Sequence, residues 1–359
     1  MHVGTIFIFQ NYQDLLSDTE AFARDIRMAV LAEELGFDSI WSTEHHFDNY
    51  SMGTHPAQIL SYIAGRTRRI KLGTAAVILP WNDPLRVAEQ MILLDHLSEG
   101  RALFGMGRGL AKMEYDAFQI SMSEARGRFN EAADMILNAL ETGYIESNGP
   151  FYKRPRTPLR PGPYKSFKDR YFMTTMSSDS VPVCAETGST MMVFAQRPWP
   201  EMVDHIKTYQ TRYEAVHKKP AQPPVLVDFL ACSDSADRAA ELAHKHMSNY
   251  YSSIIQHYDL DGNQFDSAKG YGDYAKGAQA IREGGRDKAS EAFVNINTWG
   301  TPDQILGQLE ERRRIVGDFD LIFQATYGGM DEREARRSME LFAQKVVPEL
   351  RSWDSRRAA

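Results

Sequence analysis

The sequence predicts a single eight-stranded β/α barrel, a TIM barrel of the α/β class. Short runs of β-branched and aromatic residues alternate with longer amphipathic segments of helical period, and eight such runs occur. No change of composition along the 359 residues marks a second unit, so we expect one domain over 1–359. In such a barrel the chemistry lies at the carboxyl ends of the strands. A doubly wound open sheet is the alternative architecture.

The predicted strands are short and largely apolar, as expected for a parallel sheet that is covered by helices on its outer face. In chain order they span 3–9, 39–43, 70–79, 102–106, 171–175, 191–195, 225–232 and 320–325.

Amphipathic helices are predicted between these strands, and two of them carry start signals. Asp18 and Thr301 are predicted N-caps, and Pro302 suits the first helical position. The predicted helices span 19–35, 85–97, 124–140, 200–217 and 302–315, with a closing helix after Asp331.

Two stretches interrupt the alternation and account for the length beyond about 250 residues of a minimal barrel. Residues 149–170 are rich in proline and basic side chains, which is typical of a solvated connection. Residues 258–291 contain six glycines between two helical segments, and this stretch is expected to be either a mobile lid over the active face or a passive surface excursion. Both stretches are predicted to be insertions at the C-terminal face.

Composition excludes several classes of protein. A net charge of −7 argues against binding to nucleic acid or to an anionic membrane surface. No apolar run is long enough to span a membrane, and the first 16 residues lack the features of a signal peptide, so we expect a cytoplasmic protein. Cys184 and Cys232 lie in apolar segments and are predicted to be buried thiols.

The motif at 43–47, Thr-Glu-His-His-Phe, follows the second strand and is the sharpest chemical feature. Adjacent residues face opposite ways, so Glu44 and His46 share one side and His45 has the other. This disfavours a two-histidine metal site, and no other ligand spacing appears, so we predict no metal. One of the two histidines could act as a general acid or base. The alternative is a buried structural histidine that is hydrogen-bonded to the backbone.

Glycines and cations follow two further strands. The segment 105–109 cannot be written as a dinucleotide fingerprint, because Leu110 follows its last glycine. Arg108 and Arg126 are instead candidates for a phosphate site, although either could be a surface ion-pair residue. The hydroxyls at 177–180 either cap a short helix or join that phosphate site.

Taken in order, these motifs resemble the bacterial luciferase-like flavin monooxygenases, above all the catalytic α subunit of bacterial luciferase. The resemblance covers nearly the whole chain. It rests on the segments 44–47, 72–76, 94–101, 107–110, 300–302 and 341–342.

The resemblance implies an enzyme that takes reduced FMN from a separate flavin reductase and reacts it with O2. A flavin hydroperoxide would then oxygenate a small organic substrate, and the chain would form a homodimer. By position in the motifs, His45 matches the catalytic histidine. The matching cofactor-binding positions are Ala75 and Ala76, which match a non-prolyl cis peptide, together with Gly107, Arg108, Glu114, Arg126, Met176, Ser177 and Ser180.

Two departures from the family pattern bear on the reaction. Gly107 stands where luciferase has a reactive cysteine, and Met176 replaces a glutamate. Both argue against light emission, and the missing side chain at 107 favours a bulkier or cyclic substrate.

Three other functions compete with this hypothesis. A deazaflavin-dependent dehydrogenase would transfer hydride without oxygen, and a non-catalytic flavin-binding subunit would explain Gly107 and Met176. A metal-dependent barrel hydrolase lacks its ligand pattern. Pocket shape selects among hydroxylation, Baeyer–Villiger insertion, aldehyde oxidation and carbon–sulfur cleavage.

Overall fold

A computed structural model describes residues 1–266 and 270–353 of the chain. Eight parallel strands close into a barrel, in the order β1, β2, β3, β5, β8, β9, β10 and β12, with β12 pairing back to β1. The predicted TIM barrel is therefore confirmed. The strands are β1 (Val3–Phe7), β2 (Ser39–Ser42), β3 (Lys71–Thr74), β4 (Val77–Ile78), β5 (Ala102–Gly107), β6 (Tyr144–Asn148), β7 (Lys153–Pro158), β8 (Tyr171–Thr174), β9 (Thr190–Phe194), β10 (Val225–Cys232), β11 (Thr298–Gly300) and β12 (Asp320–Gln324).

Helices surround this barrel and shield its outer face. They are α1 (Asp18–Glu34), α2 (Pro56–Ala64), α3 (Pro84–Leu97), α4 (Lys112–Ala117), α5 (Ala125–Thr142), α6 (Ser180–Glu186), α7 (Trp199–His217), α8 (Ala236–Tyr258), α9 (Gly272–Gly284), α10 (Arg286–Ile296), α11 (Pro302–Val316), α12 (Glu332–Lys345) and α13 (Val347–Ser352). None of the helices in the described part of the chain is both long and apolar enough to cross a membrane.

The barrel has a core in two parts, and a third, small cluster of Phe265, Tyr271 and Ala278 lies in the second insertion. The larger part lies between the strands and the helices and includes the buried thiols of Cys184 and Cys232. The smaller part consists of side chains from the barrel strands, including Trp41, Leu103 and Ile322, and fills the barrel interior.

The helix starts follow local capping chemistry. Ser17, and not the predicted Asp18, is the N-cap of α1, because Ser17 and Glu20 form a reciprocal capping box. Thr301 caps α11 as predicted, with Pro302 in the first turn.

The first insertion departs from its prediction. Its strand β7 pairs antiparallel with β6, which lies just before it, and the resulting hairpin lies in the connection between α5 and β8. Such a connection begins and ends on the N-terminal side of the barrel. The expectation that it lies at the C-terminal face is therefore corrected, and no residue of 149–170 lines the main chamber described below.

The second insertion does reach the C-terminal face. Its described parts are mostly helical, since α9 lies within it and α10 begins there, whereas residues 267–269 lie outside the described chain. Asp273, Tyr274 and Ala289 are among its residues that line the chamber. The insertion thus forms part of the chamber wall.

Candidate active site

A chamber of about 360 Å³ opens at the carboxyl ends of the barrel strands. Most of the residues proposed from the sequence as site residues line it: His45, Ala75, Ala76, Gly107, Arg108, Glu114, Met176 and Ser180. Arg126 and Ser177 are joined to this wall through Ser180, whose hydroxyl each of them contacts. The fold therefore brings the ten residues together, although they lie on segments more than 100 residues apart.

Residues after β3 and at the end of β5 form one part of the wall. The Ala75–Ala76 peptide bond is cis, as the resemblance implies. A Cβ atom at Gly107 would lie 2.9 Å from Ile78 Cδ1 and 3.2 Å from Ala76 Cβ. A side chain at position 107 would therefore displace Ile78 or fill space beside these alanines.

Four polar residues, here named the arginine–serine cluster, lie at one part of the chamber: Arg108, Arg126, Ser177 and Ser180. Arg126 Nη2 donates to Ser180 Oγ over 3.0 Å, and the two serine hydroxyls are 2.9 Å apart. Among the described residues, Arg126 Nη1 is buried without a hydrogen-bond partner. Burial and the nearby Arg108 charge lower the pKa of Arg126 to about 10.

The second insertion contacts this cluster directly. Arg108 donates to Gly270 O over 3.0 Å, and its guanidinium lies 4.0 Å from the centre of the Tyr271 ring. Asp273 accepts hydrogen bonds from the backbone and hydroxyl of Ser178. The insertion is thus attached to Arg108 and to the segment that carries Ser177 and Ser180.

A second set of residues, here named the histidine cluster, contains His45, Asp48, Glu114, His257 and Tyr258. His45 Nδ1 lies 3.2 Å from Glu114 Oε1, and His45 Nε2 lies 3.1 Å from the Tyr258 hydroxyl. His257 Nδ1 lies 2.7 Å from Asp48 Oδ2, and its Nε2 lies 3.7 Å from Glu114 Oε1. The cluster forms one connected network around the proposed catalytic histidine.

Burial sets the charge states in the histidine cluster. Burial alone would raise the pKa of Glu114, but contacts with His45 and His257 and the His46 N–H outweigh it, so this pKa is lowered. Burial lowers the pKa of His257 and raises that of Tyr258 well above its ordinary value. Glu114 is therefore a carboxylate and Tyr258 a neutral hydroxyl at pH 7.

The neighbouring His46 faces the other way, as the alternation predicts. Its Nε2 lies 3.4 Å from Glu44 Oε1, and its ring packs against Phe118. Glu44 also accepts hydrogen bonds from Trp81 Nε1 and Asn82 Nδ2, at 2.7 and 2.8 Å. Glu44 thus holds the segment after β4, and of the two adjacent histidines His45 is the one in the histidine cluster.

The sequence reasoning missed His257, Tyr258 and Asp48. His45 Nδ1, Glu114 Oε1 and His257 Nε2 lie within 4.8 Å of one another, an arrangement that the spacing along the chain does not reveal. The same Glu114 oxygen lies within hydrogen-bond distance of the His46 N–H and of His45 Nδ1, so we interpret these groups as a hydrogen-bonded network. The adjacent pair His257 and Tyr258 at the end of a long helix was the available signal.

Comparison of the sequence with known proteins gives the family of this chain. A family model described as luciferase-like monooxygenase matches residues 1–318. The chain belongs to the luciferase-like monooxygenase family. The alkanal monooxygenase alpha chain of Photobacterium leiognathi is 29% identical over 342 residues, covering 93% of this chain and 95% of that protein. The corresponding chain of Aliivibrio fischeri is 27% identical and covers 88% of this chain and 90% of its own.

Solved structures show the same fold. A monooxygenase from Streptomyces bottropensis has a TM-score of 0.83 at 24% identity, covering 98% of this chain and 100% of its own. The oxygenating constituent of 3,6-diketocamphane monooxygenase from Pseudomonas putida, a type II Baeyer–Villiger enzyme in complex with FMN, has a TM-score of 0.75 at 18% identity, covering 97% and 99%. A coenzyme F420-dependent secondary alcohol dehydrogenase has a TM-score of 0.71 at 13% identity, covering 96% and 98%. An FMN-bound monooxygenase and an F420-dependent dehydrogenase therefore share the fold of this chain.

Proposed function

We propose that this member of the family is a monooxygenase that binds reduced FMN, delivered by a separate flavin reductase, and oxygenates a small organic substrate with O2. The observation that carries the proposal is the pairing of two groups in one chamber. The arginine–serine cluster suits a phosphate, and the histidine cluster suits proton transfer. FMN has both a phosphate and a redox-active ring, so one molecule can contact both clusters.

The arginine–serine cluster fits a phosphate because it is short of negative charge. Burial and the nearby Arg108 guanidinium lower the pKa of Arg126, and one buried N–H of Arg126 has no partner among the described residues. A phosphate oxygen would give that N–H an acceptor and offset the repulsion. Ser177 and Ser180 would supply two further hydroxyl contacts.

Reduced FMN, when bound, would supply the electrons for the reduction of dioxygen. The chain's own contribution would be to orient the ring against Ala75, Ala76 and Gly107, to hold a proton at His45, and to keep water out. The second insertion forms part of the chamber wall and suits the last task, since exclusion of water limits wasteful release of peroxide.

The rest of the wall indicates the substrate class. Apolar side chains from the barrel, α8 and α10 line the chamber, so an uncharged and largely apolar compound fits it better than a charged one. These residues are Ile8, Phe194, Ile254, Phe293 and Ile296. The missing side chain at Gly107 adds little room for a bulkier substrate, because a Cβ there would lie 2.9 Å from Ile78 Cδ1, which already fills that space.

We also propose that the chain works as a homodimer. Helices α2 and α3 pack against each other and expose Tyr62, Leu93 and Leu97, which are 52%, 48% and 56% accessible. Exposed apolar side chains of this size favour association. Light scattering on the purified chain would give about twice the mass of one chain if this is correct, and the mass of one chain if it is not.

The test of function uses the purified single chain. Photoreduced FMN, O2 and a panel of apolar aldehydes, ketones and aromatic compounds should give an oxygenated product and consumption of O2. Failure to convert any member of the panel, with all reducing equivalents recovered as hydrogen peroxide, would favour the non-catalytic flavin-binding alternative.

The second candidate function is that of a coenzyme F420-dependent dehydrogenase, because solved structures with this fold include F420-dependent enzymes. The same chain should bind FMN more tightly than F420. Oxidation of an alcohol with reduction of F420, in the absence of O2, would instead establish a dehydrogenase.

A further inference from the structure

We propose that Tyr258 carries protons between His45 and a molecule bound in the chamber. The proposal rests on the proposed role of His45 in proton transfer and adds a second residue to it. Tyr258 is the last residue of α8, lines the chamber, and lies 213 positions from His45 in the sequence.

Both ring nitrogens of His45 have hydrogen-bond partners. Nδ1 lies 3.2 Å from Glu114 Oε1, and Nε2 lies 3.1 Å from the Tyr258 hydroxyl. No ring nitrogen is therefore left to exchange a proton directly with a ligand. A proton that leaves or reaches His45 must pass through one of these two partners.

The chemistry of the two partners sets the direction of both hydrogen bonds. A carboxylate only accepts, so Nδ1 of His45 carries the hydrogen that it shares with Glu114. In the neutral ring Nε2 is then the acceptor, and the Tyr258 hydroxyl donates to it. This arrangement orders the three groups as Tyr258, His45 and Glu114.

The two partners of His45 differ in their exposure. Glu114 is 1% accessible and also lies within hydrogen-bond distance of the His46 N–H, so it is fixed behind the histidine. Both residues border the chamber, but Tyr258 is only partly buried. A hydroxyl oxygen has two lone pairs, so the Tyr258 oxygen can accept a hydrogen from a bound molecule even with the Tyr50 hydroxyl beside it.

The transfer balances without any further reactant. As an acidic O–H or N–H bond of the bound molecule breaks, its proton goes to the Tyr258 oxygen, and its electron pair stays on the molecule. The original Tyr258 proton moves to His45 Nε2. The resulting imidazolium is stabilised by the Glu114 carboxylate, and reversal of both transfers returns the proton.

The test is Tyr258→Phe, which removes the hydroxyl and keeps the ring that packs against His45 and His257. With reduced FMN and O2, we expect kcat to fall at least about 10-fold, in the lower range for general acid–base groups. KM for the substrate and Kd for FMN should stay near the wild-type values. Tyr209→Phe is the control, since it loses a buried hydroxyl that donates to Ser189 O, outside the chamber.

A double variant tests whether the two residues act as one unit. In the absence of His45 the hydroxyl has nothing to relay, so His45→Ala with Tyr258→Phe should be no slower than His45→Ala alone. A further loss in the double variant would overturn the proposal.

A second readout does not depend on activity. Nitrogen NMR of the cofactor-free chain with labelled histidine, assigned with His45→Gln, should show a proton on Nδ1 of His45. Tyr258→Phe should move the Nε2 resonance of His45, and Tyr209→Phe should not. An unchanged resonance, or an unchanged kcat in an active enzyme, would overturn the relay. A wild-type chain that forms no product would refute the proposed function itself.

Discussion

The arginine–serine cluster and the histidine cluster line the same chamber but differ in how well their polar groups are paired. In the first, a buried guanidinium N–H lacks a partner among the described residues, and two cations lie close together. In the second, both nitrogens of His45 are engaged, and only Nε2 of His257 lacks a hydrogen bond within the described chain. Unpaired charge marks a place that receives a ligand, whereas a paired network marks a place that holds a proton.

The largest effect should come from the histidine cluster. Replacing His45 by Ala removes the group that accepts the relayed proton, and product formation from photoreduced FMN and O2 should fall about 10²- to 10⁴-fold. FMN binding should change little, because the phosphate contacts lie elsewhere. His46→Gln is the matched control, since its ring faces Glu44 and Phe118. Undiminished product with His45→Ala would refute the assigned role.

The arginine–serine cluster should show the opposite pattern. Arg126→Ala or Arg108→Ala removes a charged donor, and FMN affinity should fall about 10- to 100-fold, as expected for hydrogen bonds to a charged group. Riboflavin, which has no phosphate, should lose little affinity. Fluorescence titration measures both ligands, and Arg128→Ala on the same helix is the control, since Arg128 pairs with Glu124. Equal losses for FMN and riboflavin would reject the phosphate site.

The smallest effect concerns stability and pH. Because burial lowers the pKa of His257 in the folded chain, the unfolded chain binds a proton more readily, and the free energy of unfolding should fall as pH drops below about 6.5. His257→Gln removes this contribution, so its denaturation midpoint should depend less on pH than that of the wild type. Exposed His244→Gln should follow the wild type. The test compares pH 7.5 with pH 5.5, roughly one pH unit above and below the ordinary pKa of histidine. A free energy of unfolding that is no lower at pH 5.5 would contradict this assignment.

Much of the fold could be predicted from the sequence because each barrel strand is a short apolar run. The hairpin of β6 and β7 was missed, since the strand 153–158 carries three basic residues and two prolines and has no apolar alternation. Ser17 was missed as a cap because the acidic Asp18 beside it is also a good capping residue. The capping box between Ser17 and Glu20 was the better signal.

The candidate site could be predicted only in part. His45, Glu114 and the arginine–serine cluster lie in segments with a recognisable pattern, and the structure places them around one chamber. His257 and Tyr258 lie on a helix with ordinary amphipathic spacing. Their contacts with Asp48 and His45 arise only when the barrel closes, which juxtaposes segments more than 200 residues apart.

The central claim is that one flavin contacts both clusters. A crystal structure of the chain with FMN tests this claim most directly. If one flavin contacts both clusters, its phosphate oxygens will lie within hydrogen-bond distance of Arg126 Nη1 and of at least one of Arg108, Ser177 and Ser180. Its ring will lie against Ala75 and Ala76, on the side of the chamber that contains His45. A phosphate bound away from these arginines, or a ring remote from His45, would contradict it.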